Sequence, residues 1–149
     1  MRLTILLFTF LLSMPIAAFG QGAEQKKAGE ILLLKRGLGI EGELELGKPV
    51  TLSAEKLNFY KTRFGLDYSV SKDTLALVRS INCNKPGCIT EKNMGIGGSF
   101  GALIRRFGAP VQERELKGGA QFLAYDGVAF RVENEKVSVL YILPFRKKK

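Results

Sequence analysis

The sequence predicts an α+β fold, made of two degenerate repeats of a short helix plus an antiparallel β-meander, with the sheet covered on one face by helix. The main observation is an internal repeat, because the pattern at residues 47–81 returns at residues 108–143. Within it, residues 65–70 return 62 positions later as residues 127–132. A repeat of this length indicates a duplicated supersecondary unit whose two copies complete a common core.

The repeat also sets the expected domain boundaries. One copy covers about residues 30–82 and the other about residues 95–145, so we expect a single two-repeat domain at residues 30–145. A chain of 149 residues fits one compact domain, and its hydrophobic content of 46% is enough for a real core.

The second copy begins with the clearest helix signal. Four apolar residues follow the helical spacing i, i+3, i+4 and i+7: Phe100, Leu103, Ile104 and Phe107. Ser99 is placed to cap the first turn, and Gly108 followed by Pro110 ends the pattern. The glycine-rich run at residues 95–101 lacks the residues of the dinucleotide and P-loop fingerprints. We therefore predict a capped helix at this position and no bound nucleotide.

Three strands are predicted after this helix. Residues 121–125 and 128–133 flank Asp126 and Gly127, a common hairpin signal. Residues 137–143 form the last strand, which is apolar on both faces. Such a strand is normally covered by other parts of the protein on both of its faces. The helix can cover one face, and the other is left for the partner repeat, a dimer mate or a ligand, with packing of repeat on repeat as the favoured arrangement.

The first copy retains the strands better than the helix. Residues 57–64, 66–70 and 75–81 correspond to the same meander, whereas only residues 41–46 remain where a helix would precede it. The helix of this copy is therefore expected to be weak or lost. Residues 31–34 add either a strand or a short helix, and the sequence does not distinguish the two.

The amino terminus has the pattern of a secretory signal peptide at residues 1–20, because Arg2 precedes an apolar stretch that ends in small residues. A retained membrane anchor is the alternative, although about 18 or more apolar residues are needed to span a bilayer. Residues 21–29 lack apolar periodicity and are interpreted as a flexible leader. The mature chain is expected to be exported and soluble, either periplasmic or extracellular.

Cys83 and Cys88 are the only cysteines, and Pro86 and Gly87 between them favour a tight reversal of the chain. In an oxidising compartment this arrangement favours a disulfide. Metal binding and redox activity are the alternatives. Zinc would want four ligands in a chain without histidine, and redox-active dithiols usually have the shorter Cys-x-x-Cys spacing. We predict a disulfide between the repeats, with no metal and no cofactor.

The chain is strongly basic, with a formal net charge of +9, and loss of Arg2 with the signal peptide leaves +8, one unit less. The densest charge is a basic tail at residues 146–149. Such a tail favours an anionic partner, which for an exported chain is an envelope polymer or lipid sooner than a nucleic acid. Aromatic residues interleaved with basic ones, as in nucleic-acid recognition, are missing from the sequence.

Composition disfavours catalysis, because a chain without histidine has no ordinary catalytic triad and no imidazole base. Asp67, Asp73 and Asp126 lie at strands or turns, where solvated or turn-capping roles are the default. An envelope hydrolase that uses two carboxylates is an alternative. A cleft with two close carboxylates of raised pKa would favour it.

The segment at residues 97–143 carries a recognisable series of short motifs: Gly97-Gly98-Ser99, the short helix, Phe107-Gly108-Ala109-Pro110, Tyr125-Asp126-Gly127-Val128-Ala129-Phe130 and Val137-Ser138-Val139. This series resembles small exported bacterial modules of the β-lactamase-inhibitor-protein-like superfamily, which includes outer-membrane lipoproteins of the SmpA/OmlA type. The resemblance extends in part to residues 47–81. It implies a helix-on-sheet unit, often in tandem, that binds other proteins or supports the cell envelope without catalysis. The chain lacks the anchoring cysteine of the lipoproteins.

These observations predict a non-catalytic exported binding or cell-envelope-associated protein that acts through protein–protein surface complementarity. The partner is expected to be another envelope or extracellular protein. A cationic protein that binds anionic envelope polymer or lipid is the alternative. The expected contact residues are outward positions of the meanders together with the basic tail: Arg79, Tyr125, Arg131, Arg146, Lys147, Lys148 and Lys149.

Overall fold

The computed structural model describes residues 30–146. The predicted signal peptide, the leader and residues 147–149 lie outside the described residues. The described chain forms these elements in order: β1 (Leu32–Leu34), β2 (Gly39–Ile40), β3 (Leu44–Glu45), α1 (Ala54–Phe64), β4 (Asp67–Val70), β5 (Val78–Cys83), β6 (Cys88–Thr90), α2 (Phe100–Phe107), β7 (Gln112–Glu115), a 3₁₀ turn (Lys117–Gly119), β8 (Gln121–Tyr125), β9 (Val128–Glu133) and β10 (Lys136–Ile142).

Six of these strands form one sheet in the order β4-β5-β10-β9-β8-β7, and all neighbours pair antiparallel. The predicted α+β class is therefore confirmed. The β4–β5 hairpin joins the rest of the sheet where β5 pairs with β10, with Ile81 opposite Ile142 and Cys83 opposite Leu140. The two halves of the chain thus lie side by side in one sheet. The favoured expectation, in which one repeat packs its face on the other, is wrong.

Helix α2 confirms the helix predicted for the second copy. The Ser99 hydroxyl accepts a hydrogen bond from the Ala102 N–H at 3.2 Å, as a capping residue does. The start of the helix is also hydrogen-bonded to the β9–β10 turn, where the Phe100 N–H donates to the Glu135 carbonyl at 2.9 Å. The glycine-rich run therefore leads into a helix in which the N–H groups of Phe100 and Ala102, in the first turn, donate to other groups of the protein.

Helix α1 corrects the prediction for residues 57–64, which are helical and do not form a strand. Ser53 caps the first turn, and Gly65 ends the helix with φ 60°, a left-handed conformation that favours glycine. Tyr60 and Phe64 are buried and hold the helix to the core. The corresponding segment of the second copy forms β8. The first copy therefore keeps a helix, and the duplication itself stays a prediction.

Two small ribbons complete the fold. Strand β1 pairs in parallel with β6, so the segment at residues 31–34 contains a strand and no helix. Strands β2 and β3 form a short antiparallel hairpin. Leu34 and Leu44 from the ribbons are fully buried in the same apolar cluster as Ile81 and Leu140 of the sheet. The ribbons therefore cover the sheet on its core side together with the helices.

The predicted Cys83–Cys88 disulfide is present, with the two Cα atoms 6.4 Å apart. It joins the end of β5 to the start of β6, and both cysteines are fully buried. Gly87 in the intervening turn has φ 109° and approaches the Phe64 ring so closely that a β-carbon there would lie 2.8 Å from it. The bridge therefore links the six-stranded sheet to the β1–β6 ribbon beside the end of α1.

Candidate binding surface

The six-stranded sheet has a core face and an opposite face, because successive side chains on a strand point to opposite sides. The pairing register assigns buried residues such as Ile81 and Leu140 to the core face. The opposite face, called the open face from here on, carries the alternate residues: Asp67, Ser69, Ser80, Asn82, Gln112, Arg114, Phe122, Ala124, Ala129, Arg131, Val139 and Tyr141. Within residues 30–146, the buried apolar side chains of both helices and both ribbons belong to the core cluster, whereas Phe122, Val139 and Tyr141 lie outside it.

An aromatic pair forms the centre of the open face. Phe122 on β8 and Tyr141 on β10 lie on either side of β9, with their ring centroids 5.6 Å apart in an edge-to-face arrangement. Ala129, the cross-strand neighbour of Tyr141 on β9, is 0% exposed, so neighbouring side chains cover its methyl group. Both rings remain half-buried. Rigid aromatic surface of this kind can contribute strongly to binding when a partner covers it.

Arg131, one of the predicted contact residues, lies on the open face. Phe122 and Val139 are its cross-strand neighbours on β8 and β10. Its guanidinium forms an ion pair with Glu133 of the same strand. The Arg131 Nε is buried and has no hydrogen-bond partner within residues 30–146. The structure therefore places an arginine with an unsatisfied donor against the aromatic pair, and its part in binding stays a prediction.

Arg146 lies at the rim of the open face. Its backbone N–H donates to Asp126 Oδ1 at 2.9 Å, and its guanidinium donates to Gln112 Oε1 at 3.2 Å. Gln112 belongs to the open face through its pairing with Ala124. The predicted basic tail thus begins beside this surface, and its remaining members, Lys147, Lys148 and Lys149, lie outside the described residues.

The prediction that Tyr125 points outward is wrong. Its side chain is 7% exposed and faces the core, where its ring packs against Phe107 and Phe130 at centroid distances of 5.2 and 6.0 Å. Its hydroxyl donates to the Gly108 carbonyl at 3.2 Å. Burial raises the pKa of Tyr125, with the charge of Glu113 adding to the effect. Tyr125 therefore fastens the end of α2 to the sheet.

Arg79 is exposed, as predicted, but it lies away from the aromatic pair. It is the additional residue of a β-bulge, since β5 has one more residue than β4 between two successive pairs. Its guanidinium lies 4.0 Å from the Asp73 carboxylate, at the limit of an ion pair. It borders a shallow groove of about 270 Å³ that also includes Phe145. The sequence-predicted contact residues are thus not gathered at one place.

Three residues that matter on the open face were missed by the contact prediction. Phe122 and Arg114 were not singled out, and Tyr141 was recognised only as one side of an apolar strand. The alternation along β8 does separate Phe122 from Tyr125, which lies an odd number of positions away. What the alternation does not give is which of the two sets faces the core. That choice depends on tertiary packing.

A polar cluster joins the loop between β2 and β3 to helix α1. Glu43 accepts a hydrogen bond from the Tyr60 hydroxyl at 2.5 Å and one from Lys56 at 2.6 Å. The bond from Lys56, followed by that from Tyr60, lowers the pKa of Glu43. Burial and the bond to Glu43 raise the pKa of Tyr60. When Glu43 is ionised, its hydrogen bonds to Lys56 and Tyr60 stabilise the attachment of α1.

We expect Glu43→Gln to lose about 1 kcal/mol of unfolding free energy at pH 7, because a charge-assisted hydrogen bond becomes neutral. The folded-state pKa of Glu43 lies below its ordinary value of 4.5, so its stabilisation is complete above about pH 4.5 and is lost as the pH falls through the folded-state pKa. Urea unfolding at pH 7, 5 and 3 should show the difference between wild type and variant shrinking below pH 4.5. Glu115→Gln, at an exposed position of β7 without an ion pair within residues 30–146, is the control. A difference that stays constant with pH would contradict the assignment.

The described residues lend no support to a hydrolase with two carboxylates. The carboxyl groups whose pKa is shifted within residues 30–146 all have it lowered: Glu43, Glu45, Asp73 and Glu91. Glu43 and Glu45 border the same groove of about 250 Å³, but each has a lysine partner, Lys56 or Lys48. This arrangement keeps both carboxylates ionised and neutralised.

In the part of the chain that the structure describes, no group of three or more histidine, cysteine, aspartate or glutamate side chains could hold a metal ion. The helices of residues 30–146 are also too short and too polar to cross a membrane. No family model matches the chain, and no curated protein or solved structure is significantly similar to it. The resemblance to the inhibitor-like and lipoprotein modules therefore stays a prediction.

Proposed function

We propose that this chain is a non-catalytic exported binding protein that docks another protein on its open face. The observation that carries the proposal is the face itself. It is one broad surface of an antiparallel sheet, and it lies outside the core cluster. The Phe122–Tyr141 pair lies at its centre, with Arg131 beside that pair. Tyrosine and arginine are among the residues that most often dominate binding energy at protein interfaces, and aromatic residues are enriched there.

The charges around the open face indicate the character of the partner. Arg114, Arg131 and Arg146 lie on or beside the face, where Glu133 pairs with Arg131 and Asp67 lies at the β4 edge. The whole chain carries a net charge of +9. We therefore propose a partner that places apolar side chains over the aromatic pair and carboxylates around them. Such complementary charges speed association and orient the two surfaces.

Export is part of the proposal. It is supported by the signal-peptide pattern at residues 1–20 and by the buried disulfide, a bond that persists in oxidising compartments such as the periplasm or the extracellular space. The same two features are compatible with the envelope-associated role that is part of this proposal.

The alternative, a cationic protein that binds anionic polymer or lipid, has less support from the described cations. Lys35 and Arg36 are paired with Glu41 and Glu91 respectively. Arg106, on α2, donates to a backbone carbonyl. The alternative therefore depends on the basic tail and on exposed cations without an ion pair within residues 30–146, such as Lys61 and Arg105, and attraction of that kind is screened strongly by salt.

The proposal predicts that Phe122→Ala weakens partner binding by about 30-fold or more, since truncation at the centre of an interface costs about 2 kcal/mol or more. The mature protein is immobilised, its partner is captured from its own envelope extract and purified, and the dissociation constant is measured by calorimetry at two salt concentrations. Phe59→Ala is the matched control, because Phe59 is an aromatic residue with 43% exposure on α1, away from the open face. We expect the control to bind as wild type does.

Equal affinities of the Phe122→Ala and wild-type proteins would remove the open face from the proposal. Capture of anionic polymer or lipid alone, abolished by high salt, would instead support the cationic alternative.

A further inference from the structure

Strand β4 is one edge of the six-stranded sheet, so only one of its sides is paired. Helix α1 runs directly into β4 through Gly65 and Leu66. A groove of about 490 Å³ separates the two elements. It is lined by residues of the helix and of the strand: Ala54, Leu57, Asn58, Lys61, Leu66, Asp67 and Tyr68. An edge strand beside a helix is a place where an added strand can pair with the backbone.

The hydrogen bonds of β4 show which backbone groups face the free edge. The Ser71 N–H donates to the Leu77 carbonyl at 2.7 Å, across to the chain leading into β5. Since alternate residues of an antiparallel strand direct their N–H and C=O to opposite sides, Tyr68 and Val70 direct theirs to the free edge. The hydrogen bond of the Tyr68 N–H is consistent with this assignment, because this group donates to the side chain of Asp67 at 2.9 Å and not to β5.

Asp67 therefore satisfies an edge donor that would otherwise be free. Short edge strands and charged side chains on the edge are known means of protecting an edge from uncontrolled pairing, and β4 has both. A carbonyl of an added strand could replace the Asp67 carboxylate at the Tyr68 N–H without disturbing the pairing of β4 with β5. The edge is thus protected and still able to accept a strand.

The groove beside this edge has a definite chemical character. Leu57 and Tyr68 provide part-buried apolar surface, and Val70 at the end of the strand is 41% exposed. Lys61 on the helix side is exposed and has no ion-pair partner within residues 30–146. An occupant that complements this groove has apolar side chains facing α1 and one carboxylate near Lys61.

We propose that the groove between α1 and β4 binds an extended peptide segment that adds a strand to the edge of the sheet and places an acidic side chain at Lys61. Strand β4 has four residues, so the segment pairs over about 13 Å. So short a contact suits a weak interaction with a flexible segment of another protein. This site shares Asp67 with the margin of the open face, but β4 lies two strands away from β10 and its Tyr141, and the site does not depend on the function proposed above.

The test uses a fluorescein-labelled peptide of eight residues that alternates valine with threonine and has glutamate at one central position. Binding to the mature protein is followed by fluorescence anisotropy and by amide chemical shifts at peptide concentrations up to millimolar. The decisive variants are Tyr68→Pro and Tyr68→Ala. Both lose the ring, but only proline removes the edge-facing N–H, and proline is tolerated where an N–H points away from the ladder. Thermal unfolding checks that both variants fold.

We expect shift changes at the amides of Lys61 and of residues 68–70, and a dissociation constant about five- to tenfold weaker for Tyr68→Pro than for Tyr68→Ala, as loss of one hydrogen bond implies. A peptide with lysine in place of glutamate should bind about threefold more weakly. Asp67→Asn should bind about threefold more tightly, because a weaker acceptor holds the edge donor.

Three outcomes would overturn the proposal. One is an unchanged spectrum at millimolar peptide. Another is a set of shift changes confined to β8, β9 and β10. The third is equal affinity of the Tyr68→Pro and Tyr68→Ala proteins, in which case the edge donor takes no part. None of these outcomes bears on the test with Phe122→Ala, so the two proposals can fail separately.

Discussion

Phe130→Ala is expected to lower the free energy of unfolding by about 3 to 5 kcal/mol, the cost of removing a large buried aromatic side chain and leaving a cavity. Phe130 is 0% exposed on the central strand β9. Its ring contacts those of Phe107 and Tyr125 at centroid distances of 5.1 and 6.0 Å, which joins α2 to the sheet. Urea unfolding followed by circular dichroism measures the loss.

Phe122→Ala is the matched control for this experiment, because it removes the same side chain from the adjacent strand but from the open face. We expect it to cost less than about 2 kcal/mol, since the ring is only half-buried. A loss as large as that of Phe130→Ala would mean that the open face is covered, and would count against its use as a binding surface.

Replacement of both cysteines by alanine is expected to cost about 2 to 4 kcal/mol, near the lower end because the disulfide closes a short loop. The sequence separation of Cys83 and Cys88 is only 5 residues, but both side chains are fully buried, so lost packing adds to the lost cross-link. Hydrogen exchange should show the largest loss of protection in β1 and β6, which the bridge ties to β5.

Dithiothreitol is the control for the disulfide. It should lower the urea midpoint of the wild-type protein and leave that of the double alanine variant unchanged. The wild-type protein is also reduced while unfolded and then refolded. If its urea midpoint is then unchanged, the bridge contributes nothing to its stability.

The second half of the chain could be predicted from sequence because independent signals agree there. The apolar stripe from Phe100 to Phe107, the Ser99 cap and the Asp126–Gly127 turn each indicate the same element boundaries as the structure. When capping, periodicity and turn chemistry coincide, few competing structures remain. The predicted disulfide follows from similarly local information, namely spacing and a turn.

Helix α1 shows why the first half was harder. Leu57, Tyr60 and Phe64 do follow a helical spacing, and Ser53 and Gly65 stand at the two ends. The segment was nevertheless interpreted as a strand, because the internal repeat aligned it with β8. Aromatic residues suit strands by propensity, and tertiary packing of two rings into the core decides for the helix here.

The binding surface was only partly predictable. The prediction that the last strand is apolar on both faces is confirmed, because Leu140 and Ile142 are buried in the core whereas Val139 and Tyr141 lie on the open face. Tyr125 and Tyr141 are both aromatic strand residues, yet one faces the core and the other the open face. The difference depends on the register between β8, β9 and β10, which is set by contacts far apart in sequence.

The pairing of β5 with β10 has a consequence for how the chain reaches its folded state. Partners in this ladder are 57 to 61 positions apart, as in Cys83 with Leu140 and Ile81 with Ile142. The other neighbours in the sheet are joined by tight turns or short connections, so their loop-closure entropy is small. The sheet thus consists of two locally formed halves whose union requires one distant closure, and this closure, like the pairing of β1 with β6, raises the contact order of the fold.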